Sequence, residues 1–524
     1  MTRRSVTEHR EAVDALLATL GENRVSEPLS VSAPALLARP GEFRGRILAD
    51  DLLAPTDLPT FDNSQMDGYA VSWFDLVTAS PADPVQLLIA PQIAAGDEAS
   101  VLLPSTAAPI MTGAPVPPGA DAIVPIEQAV PPYFQPAPGT GGAQASGGVD
   151  AHPSVAAEAA ENSTASVAAE AADSVSAATV RADESAAMGA HDAEPPLPHP
   201  APTVWFIEPV TPGTFIRRAG SDVAAGDVLL PAGCPLGPAQ LGVIAGTGLT
   251  EVNVLRRIRV LLISTGHEIR DAGSTLGPGQ IFDSNSVSMS LALLEAGCEV
   301  TAVPCRSDDA DVLLGILSEH ASAADLVITI GGVSAGAREV VRDALGTLGV
   351  EFGKVAMQPG GPQGFGVATL PVAPATAAEA PPAAAPATAS ATTPATAGVN
   401  TAPDAAPTPP ASITLPVLCL PGNPVSALVS FEMFVRPALR RLSHSEPSER
   451  VREVAMMADP ADSPPGTYQV RRGFVAEDGT VALIGGPSSH LLHSYASSNA
   501  LVHIPADVER LDVGDPVMVW RIDD

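Results

Sequence analysis

Residues 61–71 read FDNSQMDGYAV. Two carboxylates (Asp62, Asp67), an amide (Asn63) and a hydroxyl (Ser64) crowd into one short stretch. Pro59 precedes it, and the apolar run Tyr69-Ala70-Val71 follows. Such a pattern predicts a polar loop leading into a strand, GYAVSW. The loop either presents acid–base and hydrogen-bonding groups or is a solvated turn, and its composition alone leaves both readings open.

Three further segments carry chemistry in a different way. TGHEI (Thr265–Ile269) follows the apolar run IRVLLIS, GGVSAGA (Gly331–Ala337) follows DLVITI, and PGNPVSA (Pro421–Ala427) follows LPVLCL. In open parallel sheets, ligands sit outside the carboxyl ends of the strands, where loops lead into helices. Asn423 suits an N-cap and Pro424 the first helical position, so PGNP predicts a helix N-terminus that favours an anion. GGVSAG offers backbone N–H groups and Ser334. One Gly-rich loop is more often a tight turn, whereas three at one sheet edge favour a phosphate or oxyanion pocket. GPGQIFDSNS (277–286) adds Asp283 and Asn285 before a helix. Asp283 can serve as a cap or as a Mg²⁺ ligand, since Mg²⁺ uses one or two carboxylates plus substrate phosphates.

The elements that position these loops are legible as blocks. Residues 253–442 alternate continuous apolar runs with helical patterns, among them SNSVSMSLALLEAG, DADVLLGILSEHAS and NPVSALVSFEMFVRPALRRL. That alternation predicts a doubly wound, mainly parallel α/β domain. Residues 443–524 hold short strands spaced as in a small β-barrel. Residues 1–50 with 211–252 are expected to form a discontinuous helical/β linker domain, and 51–210 a small β-rich domain. Two stretches, 132–203 and 372–412, are Ala/Pro-rich with almost no large aliphatics. Neither can bury enough apolar surface to offset its ordering entropy, so both are expected to be disordered insertions.

The chain has 524 residues and a formal charge of −32. That acidity argues against nucleic acid or an anionic membrane as the main partner, because both need Lys/Arg neutralisation. It leaves open an anionic small molecule held by backbone N–H groups. The four cysteines (Cys234, Cys298, Cys305, Cys419) have no zinc spacing and are expected to be reduced core thiols of a cytoplasmic protein. No apolar run approaches the about 18 residues of a membrane span.

Taken together, FDNSQMDGYAV, MTGAPVPPGADAIVPIE (111–127), RRAGSDVAAGDVLLPAG (217–233), LLISTGHEI, GQIFDSNS, DLVITIGGVSAG, KVAMQPGGPQGFG (354–366) and LCLPGNPVSALVSFEMFVRPAL (419–439) resemble the molybdopterin molybdotransferase family, the MoeA type, related to the E domain of gephyrin. The strings occur in family order and cover nearly the whole chain outside the two insertions. The resemblance implies a transferase that inserts molybdenum from molybdate into adenylylated molybdopterin and releases AMP, with Mg²⁺ as the divalent ion. It implies a cytoplasmic homodimer whose cleft lies between the α/β domain of one subunit and the FDNS…MDG domain of the other. Asp67, Thr112, Asp222 and Asp283 would be the catalytic residues, Asp283 also facing the metal. Asp62, Ser64, Thr265, His267, Gly331, Gly332, Ser334, Arg338, Gln358, Pro421, Asn423, Pro424 and Ser426 would line the substrate site. Nearby carboxyls would serve as proton donors if burial raises their pKa.

The chain departs from the family pattern at three places. TGHE stands where many relatives read T-G-D-E, which puts His267 in an acid's position. SAGA is followed by Arg338 and Glu339 rather than by an immediate acid. QPGGP (358–362) replaces K-P-G-K-P, with Gln358 and Gly361 in the lysine positions. A divergent or scaffolding paralogue that binds molybdopterin is therefore the alternative reading. A molybdopterin adenylyltransferase is a further one, though it would not need residues 1–252.

Overall fold

The computed structural model describes residues 3–22, 24–135, 202–334, 339–372 and 412–523. The chain divides into two compact units, residues 1–55 with 226–524, and residues 56–225. Most of the two Ala/Pro-rich stretches, and with them Arg338, lies outside the described residues. Their anchor points are nonetheless defined. Ala129–Val130 pairs antiparallel with Thr203–Phe206, and Pro371 pairs with Ser412 across another antiparallel ladder. Each stretch therefore stands where a hairpin turn would otherwise close two strands.

The larger unit is built on a seven-stranded sheet ordered Arg3–Arg4, Val350–Val355, Pro362–Pro371, Ser412–Leu420, Leu326–Ile330, Arg259–Thr265, Glu299–Cys305. Only Pro362–Pro371 runs against the rest, antiparallel to both of its neighbours. The apolar runs are continuous because both sheet faces are covered. Val260 and Leu262 enter one core with Leu326, Ile328 and Leu418, together with Met289 and Leu293 of helix Ser284–Glu295. Leu261 and Ile263 enter the other with Val327 and Val417, together with Leu313 and Leu317 of helix Ala310–His320. The period of two in each strand thus feeds two helical layers. The antiparallel arm and the Arg3–Arg4 strand were not legible as strands, since Gly and Pro interrupt the first and the second is two residues long.

The segment predicted as one helix after PGNP is α-helical over Pro424–Ser430, π-helical over Phe431–Val435 and α-helical again over Arg436–Leu442. Pro437 has no N–H to return to Met433, and the wider turn absorbs that gap. Buried Glu432 sits on this turn and is gripped by Arg450 through two bonds of 2.9 Å.

The C-terminal region closes on itself. Tyr468–Val475 pairs with Thr480–Leu483 and with Ala500–Ile504, while Arg452–Met457 pairs with Thr480–Leu483 and Pro516–Arg521. Pairing of Ala500–Ile504 with Pro516–Arg521 completes the ring, so no barrel strand presents an open edge. In the same unit, Glu251–Leu255 pairs with Ser26–Ser30.

The smaller unit holds a six-stranded sheet ordered Ala122–Pro125, Gly68–Val71, Thr106–Ile110, Val85–Ile89, Thr203–Phe206, Ala129–Val130. Gly68 is required there, because a Cβ would lie 2.2 Å from the Val124 carbonyl oxygen. Ile216–Arg217, grouped by sequence with the linker domain, pairs instead with Asn63–Ser64 in this unit.

A buried polar relay ties the first helix, Val6–Ala18, to the antiparallel arm. His9 Nε2 meets Gln363 Oε1 at 3.0 Å, and Gln363 Nε2 donates to the Gly360 carbonyl at 2.9 Å. The Gly360 acceptor fixes the Gln363 amide orientation, which makes His9 the donor through Nε2. Burial pushes the His9 pKa down to about 4, against the Gln363 bond, which favours the charged form. Unfolded His9 takes up a proton near pH 6.5 and the folded residue does not until about pH 4. Its share of stability is therefore intact above pH 6.5, falls as pH drops through that window and is level below it. His503, driven to about 3 chiefly by burial, adds to the same slope. Denaturant midpoints for the wild type should fall markedly between pH 7 and pH 4, and His9→Gln should remove about 3 kcal/mol of that fall.

Candidate functional site

In the smaller unit the loop 61–67 is held by backbone bonds from two sides. Ser64 N–H donates to Ala114 O at 3.0 Å, Gly113 N–H to Ser64 O at 2.8 Å, and Gln65 N–H to Phe215 O at 2.9 Å. This frame brings Asp67 and Thr112 together. Asp67 Oδ1 accepts both the Thr112 N–H at 2.7 Å and its Oγ1–H at 2.8 Å. Oδ2 has no hydrogen-bond partner among the described residues, and the carboxylate is exposed. The Thr112 N–H first, and its hydroxyl second, hold the Asp67 pKa below the usual carboxylate range. The expectation of a proton-donating carboxyl with a raised pKa is therefore corrected for Asp67, which is an ionised acceptor at neutral pH.

The neighbours of Asp67 build the loop. Ser64 is fully buried and its Oγ donates to Met66 O at 2.6 Å, a role in loop closure rather than ligand contact. Asp62 accepts from Ala219 N–H at 2.8 Å and from Arg218 at 2.5 Å, and the Ala219 bond is the main cause of its lowered pKa. Asp222 is exposed and hangs by its N–H on Leu58 O at 3.0 Å, with no bond to Asp67 among the described residues.

In the larger unit the strand-end loops converge. A Cβ on Gly331 would lie 2.7 Å from Thr265 Oγ1, and one on Gly422 would lie 3.2 Å from Gly331 Cα. Gly331 and Gly332 take φ of +100° and +61°, conformations that a side chain opposes. Asn285 Nδ2 donates to Gly422 O at 2.7 Å, which draws the GQIFDSNS segment into the same group. Ser334 is bonded through its N–H and hydroxyl to the Glu339 carboxylate. His267 is exposed, with Nδ1 3.1 Å from Asp308.

Two residues differ from their expected local roles. Asn423 occupies the N-cap of Pro424–Ser430 but makes no capping bond, and its Nδ2 donates to Ser489 Oγ at 2.9 Å. Val425 N–H in that first turn donates to Ser489 O at 3.2 Å, so part of the predicted anion seat is occupied by protein. Pro421 and Ser426 are buried beside this turn. Gln358 Oε1 accepts from Gln469 at 3.3 Å.

Asp283 caps helix Ser284–Glu295. It accepts from Ser286 N–H at 3.0 Å, Ser286 Oγ at 2.6 Å and Ser264 Oγ at 2.5 Å. A carboxylate offers about four lone-pair sites, so one remains. Among the described residues no group of three or more His, Cys, Asp or Glu gathers around a metal position. That donor set fits Mg²⁺ only in the form that takes most of its oxygens from substrate phosphates and water.

Three family descriptions match the chain end to end. The MoeA N-terminal region (domains I and II) matches residues 4–248, the probable molybdopterin binding domain residues 261–441, and the MoeA C-terminal region (domain IV) residues 454–522. Molybdopterin molybdenumtransferase 2 of Mycobacterium tuberculosis is 37% identical over 528 residues, spanning 99% of this chain and 100% of the relative. The chain belongs to the molybdopterin molybdenumtransferase family. The molybdopterin molybdenumtransferase of Haemophilus influenzae is 27% identical over 486 residues, 91% of each chain. The crystal structure of a molybdopterin biosynthesis MoeA protein from Pyrococcus horikosii shares the fold, with a TM-score of 0.64 at 23% identity and complete coverage of both chains.

For a molybdenumtransferase, the contribution that sequence reasoning missed comes from the barrel. Loop 485–490 supplies Ser489 to the PGNP turn and is held by Arg472, which donates to the Gly486 and Ser488 carbonyls. Ser489 stands 66 residues from Asn423, so no local pattern links them. Asn285, by contrast, was visible in DSNS.

Thr112→Val removes the hydroxyl bond to Asp67 and keeps the backbone one. The Asp67 carboxyl titration, followed by ¹³C NMR, should move up toward the ordinary carboxylate range yet stay below it. An unmoved titration would show that the hydroxyl contributes nothing to the charge state.

Proposed function

We propose that the chain transfers molybdenum from molybdate into adenylylated molybdopterin and releases AMP, the final metal-insertion step of molybdenum cofactor biosynthesis. End-to-end similarity to a curated molybdenumtransferase carries this reading. The convergence of the Thr265, Gly331 and Gly422 loops at one sheet edge supports it, since backbone N–H groups gathered there are what holds an anionic substrate.

Each residue set has a task in this chemistry. One molybdate oxo group leaves as water with the two protons of the ene-dithiol, whose sulfurs take its place on molybdenum, and the phosphoanhydride is cleaved by water to AMP and the molybdenum-bearing molybdopterin. Ionised Asp67, with Oδ2 open, accepts hydrogen bonds from the dithiol protons as they move, and Thr112 holds it in place. Asp222 flanks the same substrate. Thr265, His267, Gly331, Gly332, Ser334 and the Pro421–Ser426 turn bind the phosphates and pterin, and Gln358 and Arg338, the latter outside the described residues, are the further substrate-binding candidates. Mg²⁺, when bound through the remaining lone pair of Asp283 and substrate phosphates, supplies charge neutralisation at the leaving AMP.

The reading needs both residue sets at one substrate, and a homodimer that joins them across subunits meets that need. An exposed apolar stripe fits self-association. Val287, Leu291 and Leu294 lie on one face of helix Ser284–Glu295 with exposures of 68%, 59% and 52%, beside exposed Ile281 and Phe282. Unpaired cysteines fit the cytoplasm. Among the described residues no helix is long and apolar enough to cross a membrane.

Molybdate-dependent AMP release from adenylylated molybdopterin and Mg²⁺ should saturate, and Asp67→Asn should lower kcat by about 10²-fold with little change in KM. Tight substrate binding with no AMP release would favour the divergent-paralogue reading instead, for which Gln358 and Gly361 in place of cations are the specific observation. Separately, Leu291→Asp should convert the protein to a monomer in sedimentation velocity. An intact dimer would remove this face from the interface.

A further inference from the structure

The opposite edge of the α/β sheet carries a cavity of ≈ 260 Å³ that the proposed reaction does not use. It opens where the strands begin. Ile258 precedes Arg259–Thr265, Asp325 precedes Leu326–Ile330, and Thr414 opens the third wall on Ser412–Leu420. A seven-residue strand separates this edge from the Gly-rich loops by roughly 20 Å. Arg24, Arg256 and Arg257 line it together with Asp325.

The charge in this cavity is unbalanced. Asp325 is its one lining carboxylate, and it is taken up by Arg256 at 2.9 Å and by Arg259 at 2.8 Å. Nearby Arg46 pairs with Glu27. Arg24 and Arg257 form no ion pair among the described residues. Arg24 donates to the Leu442 and Arg256 carbonyls at 2.6 and 2.7 Å, and Arg257 to the Gly41 and Arg44 carbonyls at 2.8 and 2.6 Å. Carbonyl dipoles satisfy donors without cancelling a net charge. Nε of each guanidinium is buried with no acceptor. Burial drives the Arg24 pKa down, Cys298 and Asp325 act against that shift, and Arg46 and Arg256 add to it. Burial likewise lowers the Arg257 pKa, aided by Arg46, while Glu27, Glu299 and Glu42, none of which lines the cavity, act against that shift.

An acidic chain with 27 basic residues against 59 acids has ready means to neutralise such a cluster. Here two half-buried guanidiniums instead converge on an open volume large enough for a tetrahedral oxyanion or the phosphate of a small ester. Guanidinium forks match phosphate geometry, and partial desolvation strengthens each charge-assisted bond. We infer that this cavity is a second, non-catalytic anion site for a phosphate group, bound through Arg24 and Arg257.

Titration calorimetry of the full-length protein with inorganic phosphate tests this. The wild type should give a saturable site, and Arg257→Gln and Arg24→Gln should each weaken it roughly tenfold or more, the value of one charged hydrogen-bonding group. Far-UV circular dichroism and the denaturant midpoint should confirm that each variant is folded. If a Gln variant does not fold, Arg257→Lys keeps the point charge and loses the fork, and weaker phosphate binding is again expected. Absence of saturable phosphate binding in the wild type would overturn the inference. So would an affinity unchanged in the folded variants, because that would place any phosphate at the strand-end loops instead.

Discussion

Close approach of bare backbone at the carboxyl edge of the α/β sheet is the constraint on which the candidate site depends. Thr265, Gly331 and Gly422 stand near enough that a methyl group on Gly331 would strike Thr265 and one on Gly422 would crowd Gly331. The sheet makes this possible because its strands are buried on both faces and their ends cannot drift. Positive φ at Gly331 and Gly332 then turns the chain away from the strand without a side chain in the way. Everything else near that edge, including the Asp283 cap and the Asn285 bond to Gly422, braces this arrangement.

Charge is placed by hydrogen bonds more than by ion pairs. Asp67 keeps its proton off through the Thr112 N–H and hydroxyl, in open solvent, without any cation. Asp283 is surrounded by serine hydroxyls and one backbone N–H. Such neutral donors hold an anion in position while leaving its negative charge available to a metal or a cationic partner. That arrangement suits a chain whose QPGGP turn (358–362) carries no lysine.

Long-range staples join segments that are far apart in sequence. The His9–Gln363–Gly360 relay connects the first helix to the QPGGP turn, and Ser489 connects the barrel to the PGNP turn. The first is buried and satisfied on several sides, so it specifies one arrangement more than it adds net stability, whereas the second lies at the surface and draws on both the Ser489 side chain and its carbonyl.

The sequence by itself determined the parallel core of the α/β sheet and the positions of the strand-end loops. Continuous Val/Ile/Leu runs can be stable only with both faces covered, and Gly or Asn-Pro directly after such a run dictates a sharp exit. It also determined the family, through strings such as FDNSQMDG and PGNPVSA in order. Tertiary structure alone decided what the side chains do. Nothing local distinguishes Ser64, which turns inward to Met66, from Thr112, which holds Asp67 from 45 residues away. Nothing local tells that Asn423 forgoes its own helix for Ser489, or that Arg24 and Arg257 meet across more than two hundred residues. Periodicity encodes which face a residue belongs to, but a hydrogen-bond partner depends on which distant segment the packed core brings within 3 Å, and that is set only when the whole chain has folded.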